Sequence, residues 1–326
     1  MTRYLVTGGC GFIGSNLADA LVAEGGEVRV LDDLSTGLRE YCPSDAELMV
    51  GSVVDPVALA AAMRGVDVCF HLAAQVSVPL CAENWVGSHN VNLTGTIGVL
   101  QEARARQVPV IYASSAAVYG DVVVSPLSER SPVAPRSAYG ADKLGCELHA
   151  AVARENYGVP TLGLRFFNVY GLRQNGSSPY SGVVSAFCER LATGRRLRIN
   201  GDGGQTRDLV FVGDVVRAML AGRDQIDTTP AVLNVCTGKS VSVLQLARTI
   251  GRVIGRPPVF EFASARIGDV RVSCGDPSLL HASLGIRMDK SLDDGLRETL
   301  AFQQRWPNDD RDTGARRRSL PRHAAG

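Results

Sequence analysis

The sequence predicts an α/β fold, in which a doubly wound parallel sheet is followed by a smaller and less regular α/β lobe. Three observations predict it: an N-terminal strand that enters a glycine-rich turn and a helix, alternating strand and helix patterns in the first half, and a weaker periodicity beyond residue 170. The chain has 326 residues, of which 45% are hydrophobic and 21% charged, so it can bury a large core.

Composition narrows the class of protein. None of the eight cysteines forms a C-x-x-C pair and most lie in apolar runs, which is typical of reduced core thiols in a cytosolic protein. A strand pattern begins at Arg3 where a secretory signal would stand, and no apolar run approaches the roughly 18 residues of a membrane span. We therefore expect a cytoplasmic protein without a membrane partner, and the sequence predicts no metal site.

Charge is unevenly distributed, although the formal net charge is only +1. The segment from Arg305 to Gly326 holds six arginines and three aspartates but few apolar residues, which predicts a disordered basic tail over 306–326. Such a tail is either solvated or in contact with nucleic acid or anionic lipid. The rest of the chain has no basic run, so no nucleic-acid partner is expected.

The first predicted strand, Arg3 to Thr7, runs directly into glycines at positions 8, 11 and 14 and then into a helix. A glycine-rich turn between a strand and a helix lets the backbone approach a pyrophosphate at the helix N-terminus. The first gap between glycines is one residue longer than in the G-x-G-x-x-G fingerprint. The pattern nevertheless indicates a dinucleotide site of the Rossmann type.

The second predicted strand, Glu27 to Leu31, ends at Asp32-Asp33, 18 residues after Gly14. At this place in a dinucleotide-binding sheet, a carboxylate meets the hydroxyls of the adenosine ribose. Because an acid there also repels a 2′-phosphate, the sequence favours NAD over NADP. Taken alone, Asp32 could also be a turn residue that follows a strand.

Strand and helix patterns then alternate up to residue 166, which predicts a parallel sheet with helices on both faces. The segments are 47–50, 57–63, 66–72, 85–106, 108–113 and 160–166. In such sheets, ligands bind beyond the carboxyl ends of the strands. Gly8, Asp32, 72–74 and 114–115 all follow strands, so we expect them to meet at one edge of the sheet.

A helix is also predicted from Ser137 to about Tyr157. Tyr139 and Lys143 are four residues apart, so both side chains lie on one face of it. An ammonium beside a phenol favours the phenolate, which can act as a general base on an alcohol. By itself this pair could also be two exposed residues, and the glycine-rich turn is what favours the catalytic interpretation.

With these residues in place, the chain resembles the extended branch of the short-chain dehydrogenase/reductase superfamily, the nucleotide-sugar epimerases and dehydratases, over residues 3–305. The matching segments are TGGCGFIG at 7–14, HLAA at 71–74, SSAAVYG at 114–120, YGADK at 139–143, RFFNVYG at 165–171, RDLVFVGD at 207–214 and Arg266 with Gly268-Asp269. The resemblance implies a NAD-binding Rossmann domain over 1–170, to which segments near 207–240 return. It also implies a substrate lobe over 171–305.

In this family Ser115, Tyr139 and Lys143 would be the catalytic triad. Ser115 would orient the sugar hydroxyl, Tyr139 would remove its proton, and Lys143 would bridge to the nicotinamide ribose. Besides Tyr139 and Lys143, the NAD site would be lined by Gly8, Gly11, Phe12, Ile13, Gly14, Asp32, Asp33, Ser35, Thr36, Gly37, Ser52, Val53, Leu72, Ala73, Ala74, Asn92 and Phe166. The family usually has an aspartate where Ser52 stands, so a weaker adenine contact is expected.

The resemblance also implies a set of substrate-binding residues, which are Asn168, Val183, Asn200, Arg207, Arg266, Asp269 and Ser273. Asn168 would hold the pyrophosphate of a sugar nucleotide, and the turn around Asn200 would hold its uracil and ribose. Arg207 and Arg266 would neutralise the diphosphate, since a guanidinium matches phosphate oxygens in bidentate fashion. Either arginine could instead form a surface ion pair.

Two features indicate the reaction. Many relatives that dehydrate or decarboxylate carry acids directly after the position of Ser115, whereas here Ala116 and Ala117 offer only methyl groups. The resemblance therefore implies an isomerase, a NAD-dependent 4-epimerase of UDP-hexoses that works through a transient 4-keto sugar. Ser273 matches the family's substrate-size gate and leaves volume for an N-acetyl group, so UDP-GlcNAc and UDP-GalNAc, and also UDP-Glc and UDP-Gal, are the expected substrates.

Three alternatives stay open. A UDP-glucuronic acid 4-epimerase would use a basic residue such as Arg173 to receive the C6 carboxylate, and a dehydratase would catalyse elimination. A non-catalytic NAD-binding protein would act through protein contacts, although the complete triad argues against it. From the resemblance alone, a homodimer is expected to form through a helix pair that includes the Tyr139 helix.

Overall fold

The computed structural model describes residues 1–121, 125–175, 182–265 and 270–305. The described residues form twelve β-strands, which are β1 (Arg3–Thr7), β2 (Glu27–Asp32), β3 (Glu47–Val50), β4 (Val68–His71), β5 (Val110–Ser115), β6 (Thr161–Phe166), β7 (Asn168–Tyr170), β8 (Leu197–Asn200), β9 (Thr206–Phe211), β10 (Val232–Val235), β11 (Ser240–Ser242) and β12 (Phe260–Ala263). The same residues form eleven α-helices, which are α1 (Phe12–Ala23), α2 (Pro56–Ala62), α3 (Val78–Glu83), α4 (Trp85–His89), α5 (Gly95–Arg106), α6 (Ala138–Tyr157), α7 (Val183–Ala192), α8 (Val212–Asp224), α9 (Val243–Ile254), α10 (Ser278–Leu284) and α11 (Leu292–Arg305). Within these ranges, no helix combines the length and the apolar character that crossing a membrane requires.

Seven strands form one parallel sheet in the order β10-β6-β5-β4-β1-β2-β3. The chain first winds outward through β1, β2 and β3, and then returns to place β4, β5 and β6 on the other side of β1. The order therefore reverses between β1 and β4, which is where a ligand crevice forms in open α/β sheets. This is the Rossmann topology, so the predicted doubly wound parallel sheet is confirmed.

Helices cover both faces of this sheet. Helices α1, α8 and α10 pack on one face through an apolar cluster that includes Val6 and Leu17, both fully buried. Helices α2, α5 and α6 pack on the other face through a cluster that includes Leu5 and Val99. Successive residues of β1 thus point to opposite faces and are buried on both. This burial explains why the middle of the strand, from Tyr4 to Val6, is apolar.

The predicted helix from Trp85 to Arg106 is one helical run with a wider turn in the middle. A π-helical stretch, Asn90–Thr94, joins α4 to α5. Just after it, the Thr96 hydroxyl donates to the Asn92 carbonyl oxygen at 2.6 Å. Wider turns of this kind recur at functional sites, because they place one side chain out of the regular helical register.

The smaller C-terminal lobe has two short sheets. Strand β9 pairs with β7 and β11, and β8 pairs with β12. Their core is filled from α7, α9 and α11 by side chains such as Phe187, Leu246 and Leu296, which pack with Ile199 of β8. After β9, the chain returns to the main sheet as α8 and β10, and β10 pairs with β6. The domain boundary at residue 170 remains a prediction.

Candidate active site

The turn between β1 and α1 lies so close to neighbouring backbone that two of its positions accept only glycine. Gly8 has φ +69°, and a Cβ there would lie 2.8 Å from the backbone nitrogen of Ala73, just after β4. A Cβ on Gly14, in the first turn of α1, would lie 2.2 Å from the Gly8 carbonyl oxygen. The first N–H groups of α1, at Phe12 and Ile13, could therefore meet a pyrophosphate at close range.

The carboxylate of Asp32 is built into this turn. One oxygen accepts a hydrogen bond from the Cys10 N–H at 2.9 Å, and the other accepts from the Leu34 N–H at 2.8 Å. Burial raises the pKa of the Asp32 carboxyl, and these two N–H donors act against that rise. Asp33 is exposed and accepts from the Ser35 N–H at 2.9 Å. Asp32 is thus placed to accept from ribose hydroxyls beside the glycine-rich turn.

The loop after β2 and the end of β3 lie along the same edge. Gly37 is buried beneath the turn, where a Cβ would lie 2.9 Å from the Cys10 side chain, while Thr36 is exposed. Ser52 is half-buried and Val53 is buried, and both follow β3, which pairs with β2. The predicted adenosine residues are therefore brought next to one another.

Residues 72–74 follow β4 and line the opposite side of the crevice. The N–H groups of Leu72 and Ala73 both donate to the Thr7 hydroxyl at 3.2 Å. The Asn92 amide is fully buried and exchanges two hydrogen bonds with the backbone of Gln75, at 2.8 and 3.1 Å. The Asn92 side chain, which is predicted to line the NAD site, therefore fixes the loop after β4.

His71 lies beneath this loop and connects three elements. It is fully buried, with Nδ1 2.8 Å from the Thr7 hydroxyl and Nε2 3.0 Å from the Thr96 hydroxyl. Because Thr96 donates its proton to the Asn92 carbonyl, we assign the ring proton to Nε2 and let Thr7 donate to Nδ1. Burial, and secondarily the charge of Lys143, lowers the pKa of His71 from 6.5 to about 3.

The neutral state of His71 predicts how stability depends on pH. The pKa of His71 is lower in the folded state than in the unfolded state. The stability that the neutral His71 ring contributes is therefore complete above pH 6.5 and is lost as the pH falls from there toward 3. Between about pH 7 and about pH 5.5, wild type is expected to lose about 1 kcal/mol more unfolding free energy than His71→Asn. Urea titration at both pH values measures this, and His149→Asn, which changes an exposed histidine of α6, should behave as wild type.

The three predicted catalytic side chains come from β5 and from the first two turns of α6. Lys143 is buried, and its Nζ donates to the Ala113 carbonyl oxygen at 2.9 Å. The same nitrogen lies 5.8 Å from the centre of the Tyr139 ring, and Tyr139 is half-buried. Ser115 ends β5, and its hydroxyl accepts from the Ala117 N–H at 3.1 Å. A phenol, an ammonium and a hydroxyl therefore stand at the carboxyl end of one strand and the adjoining helix.

These groups and the glycine-rich turn lie at the same edge of the sheet, because β5, β4, β1 and β2 are parallel neighbours in a single layer. Phe166 ends β6 and is buried at that edge, next to Ser115 in the strand register. Close backbone approach at Gly8 and Gly14, together with the carboxylate of Asp32, fits a dinucleotide bound along this edge.

The predicted substrate residues that the structure describes lie on or beside β7, α7, β8 and β9. Asn168 begins β7 and is exposed, and Val183 begins α7 and is half-buried. Asn200 ends β8, where its carbonyl oxygen accepts from the Gln205 side chain at 2.9 Å. Ser273 is half-buried beside β9. The predicted Arg266 and Asp269 fall on residues 266–269, outside the described residues.

Arg207 lies on β9, one strand away from Asn168. Its guanidinium donates to the carbonyl oxygens of Thr206 and Val270, each at 2.7 Å. Arg173, the residue considered for a carboxylate substrate, forms an ion pair with Asp19 of α1 at 2.6 Å. It also lies over the Tyr41 ring, 5.4 Å from its centre. Arg173 is therefore directed toward α1 and the loop after β2.

Sequence reasoning missed a second group of buried polar residues. Glu147 of α6 and Arg165 of β6 form an ion pair directly behind Ser115, and both are under 10% exposed. Glu147 stands four residues after Lys143 and therefore shares its helix face. Because charged residues on one helix face are usually exposed to solvent, this spacing did not indicate that Glu147 is buried.

Comparison with known proteins agrees with this geometry. Residues 4–236 match the model of the NAD dependent epimerase/dehydratase family. The chain is 38% identical over 314 residues to the UDP-glucose 4-epimerase of Mycolicibacterium smegmatis, a match that covers 92% of this chain and 98% of that protein. It is 30% identical over 310 residues to UDP-glucuronic acid decarboxylase 1 of Xenopus tropicalis, with 92% of this chain and 72% of that protein covered.

A solved structure is similarly close. The UDP-N-acetylglucosamine 4-epimerase from Methanobrevibacter ruminantium, in complex with UDP-N-acetylmuramic acid, superposes with a TM-score of 0.89 at 31% identity. The match covers 93% of this chain and 98% of that one. Fold, family model and full-length relatives agree, and the chain therefore belongs to the NAD-dependent epimerase/dehydratase family.

Proposed function

We propose that this protein is a UDP-hexose 4-epimerase, which interconverts UDP-GlcNAc with UDP-GalNAc and also accepts UDP-Glc and UDP-Gal. The observation that carries the proposal is the position of Lys143. It is anchored on the Ala113 carbonyl at 2.9 Å and lies beside Tyr139, at the end of the strand that carries Ser115. The fixed ammonium thus lies beside the phenol that would take the proton from a sugar hydroxyl.

Each residue of the triad then has one task. Ser115 donates to the substrate 4-hydroxyl and fixes its direction, and Tyr139 takes the hydroxyl proton and later returns it. Lys143 would donate to the nicotinamide ribose, with its ammonium held beside the Tyr139 ring. When bound beside these residues, NAD would supply the hydride chemistry at C4, serving first as acceptor and then as donor. The sugar turns over between the two half-reactions while its diphosphate stays bound, so the configuration at C4 is inverted.

The cofactor would be held by the edge described above. Gly8, Gly11 and Gly14 allow the pyrophosphate to approach α1, and Asp32 accepts from the adenosine ribose. The remaining members of the proposed site are Phe12, Ile13, Asp33, Ser35, Thr36, Gly37, Ser52, Val53, Leu72, Ala73, Ala74, Asn92 and Phe166. The paired N–H donors on Asp32 keep a negative oxygen beside the ribose, which supports NAD rather than a 2′-phosphorylated cofactor.

Two observations support epimerisation of a neutral sugar. Ala116 and Ala117 form a 3₁₀ turn directly after Ser115, so no acid stands there for elimination or decarboxylation. Arg173, the basic residue considered for the carboxylate of a uronic acid, is paired with Asp19 on α1. A UDP-glucuronic acid 4-epimerase and a dehydratase are therefore less well supported.

For the substrate, we propose that Asn168 and Arg207 bind the diphosphate together with Arg266, and that Asp269 belongs to the same substrate site. Val183 and Asn200 would border the uridine. Ser273 lies beside β9 with its N–H donating to the Thr206 carbonyl at 3.2 Å, and its small side chain leaves room at the sugar C2 substituent.

A panel of UDP-sugars, incubated without added NAD and resolved by chromatography, tests the proposed function. We expect UDP-GlcNAc to reach equilibrium with UDP-GalNAc, because the cofactor is regenerated in every cycle. UDP-glucose should also be converted. Conversion of uronic acids alone, formation of a dehydrated or decarboxylated product, or no conversion of any sugar would each contradict the proposal.

We also propose a homodimer in which α6 forms part of the interface. Helix α6 carries Leu148 and Val152 on its outer face at 63% and 42% exposure, and Trp85 and Val86 of the adjoining α4 are at 64% and 75%. Apolar side chains grouped on one surface in this way are typical of a protein interface. Light scattering after size exclusion should give a dimer for wild type and a monomer for Leu148→Glu. His149→Glu, next to it on α6, adds the same charge as a control, and a monomeric wild type would contradict the proposal.

A further inference from the structure

A buried polar network lies directly behind the triad. The Ser114 hydroxyl donates to one Glu147 carboxylate oxygen at 2.5 Å. Arg165 binds the same carboxylate in bidentate fashion, through Nε at 2.8 Å and through a terminal nitrogen at 2.7 Å. Ser114 is 2%, Glu147 7% and Arg165 6% exposed. Three donors from two strands therefore converge on one carboxylate of α6.

The network continues from Arg165 away from the triad and ends at the Glu129 carboxylate. The other terminal nitrogen of Arg165 donates to the Tyr119 hydroxyl at 2.8 Å, and that hydroxyl donates to the Asn234 side chain at 2.7 Å. The Asn234 N–H in turn donates to a Glu129 carboxylate oxygen at 2.7 Å. Burial opposes the charge of Arg165, but its bonds to Glu147 outweigh this and raise its pKa. The Arg165 guanidinium is therefore charged, and its direction is fixed by its bonds to Glu147 and Tyr119.

The position of this network relates it to the triad. Ser114 immediately precedes Ser115 on β5, and Glu147 lies one helical turn beyond Lys143 on α6. Two bonds thus join the end of β5 to the first turns of α6: Lys143 to the Ala113 carbonyl, and Ser114 to Glu147. The space that a reacting sugar carbon would occupy lies between those same two elements.

We propose that Ser114, Glu147 and Arg165 are positioning residues that set the separation between Ser115 on the strand and Tyr139 and Lys143 on the helix. The inference rests on the proposed function, because it assigns the network to the epimerisation site. Removing the Ser114 hydroxyl leaves the Glu147–Arg165 pair intact and releases only the strand. A displacement of about 1 Å between reacting groups lowers turnover by about 100-fold.

The test uses the purified enzyme with the NAD that it retains. Ser114→Ala is expected to lower kcat by about 10- to 100-fold with the KM for the UDP-sugar changed less than about twofold, since binding groups stay in place. Ser114→Thr keeps the hydroxyl and should restore most of kcat. NAD content, measured by absorbance after denaturation, and the melting temperature are recorded for every variant.

A matched control is offered by Thr161, whose hydroxyl donates to the Ala150 carbonyl at 3.2 Å and so joins β6 to α6 far from the triad. Thr161→Val should lose stability as Ser114→Ala does, but keep the wild-type kcat. If Ser114→Ala fails to retain NAD, Ser114→Cys, which keeps most of the side-chain volume, takes its place.

Equal kcat values for wild type, Thr161→Val and Ser114→Ala would overturn the inference, as would a loss of kcat in Ser114→Ala that Ser114→Thr does not restore. Both outcomes leave the proposed function intact, because wild type still epimerises. A wild-type enzyme that converts no UDP-sugar contradicts the proposed function instead, so the two failures are distinguishable.

Discussion

Replacing Tyr139 with phenylalanine is expected to lower the rate of epimerisation by about 10³-fold, within the range of a lost general acid–base group. The change removes one oxygen and leaves the ring, whose centre lies 5.8 Å from the Lys143 ammonium. Lys143 keeps its bond to the Ala113 carbonyl, so the site should retain its shape. We therefore expect NAD and UDP-sugar to bind as before, while proton removal from the 4-hydroxyl fails.

The measurement is kcat with UDP-GlcNAc, accompanied by NAD content and by calorimetric titration of UDP. Tyr157→Phe provides a matched control, since Tyr157 ends the same helix far from the site. The Arg104 guanidinium carbon lies 3.8 Å from the centre of the Tyr157 ring. This control variant should turn over as wild type does. Turnover of Tyr139→Phe within a few fold of wild type would exclude Tyr139 as the base.

Gly14→Ala is expected to give a protein that purifies without NAD and is destabilised by at least about 1–3 kcal/mol, the cost of overpacking. The added methyl group would lie 2.2 Å from the Gly8 carbonyl oxygen and 2.9 Å from the Gly9 Cα. Neither neighbour can yield freely, because Gly8 is itself packed against the backbone of Ala73. The glycine-rich turn must therefore move away from α1, and the pyrophosphate site is lost.

Gly98→Ala is the matched control for this substitution. Gly98 also lies within a helix, α5, but the closest atom to its new methyl group would be the flexible end of Leu59 at 3.2 Å. Alanine in a helix interior is favoured over glycine by about 1 kcal/mol, so this variant should keep its NAD and its stability. Retention of NAD by Gly14→Ala at the wild-type level would contradict the proposed pyrophosphate site.

Much of the fold could be predicted because local patterns determine it. The strand Arg3–Thr7, the turn at Gly8 and the alternation of strands with helices are readable without long-range information, and the parallel sheet is confirmed. Once the strands are parallel, their carboxyl ends must share an edge. The proximity of Asp32, Ala73 and Ser115 follows from that topology rather than from any single motif.

Residues that act through distant partners could not be predicted in the same way. In the sequence, His71 stands within an apolar run that gives no indication of its contacts. Its role in connecting Thr7 and Thr96 by hydrogen bonds is visible only in the folded structure. Likewise, Glu147 and Arg165 are 18 residues apart and meet because α6 packs on β6. Contacts between elements are set by tertiary packing, which periodicity does not encode.

The orientation of α6 illustrates a further limit. Leu148 and Val152 follow Leu144 at helical spacing, a pattern that predicts a buried apolar stripe, yet both are exposed. The buried face instead carries Lys143 and Glu147 together with small residues such as Ala150. On the buried face of α6, Lys143 and Glu147 are buried because each forms hydrogen bonds or an ion pair with a neighbouring strand. The exposed Leu148 and Val152 can then pack against another protein surface, here the proposed dimer interface.

The hydrogen at C4 of the sugar gives the most direct test of the proposed chemistry. UDP-GlcNAc with deuterium at C4 is incubated with the enzyme in ordinary water without added NAD, and the product is examined by NMR and mass spectrometry. We expect UDP-GalNAc that keeps the deuterium at C4, because the hydrogen removed on oxidation returns to the same carbon without exchange with water. Loss of the deuterium to solvent during conversion would contradict an oxidation and reduction at C4 beside Tyr139.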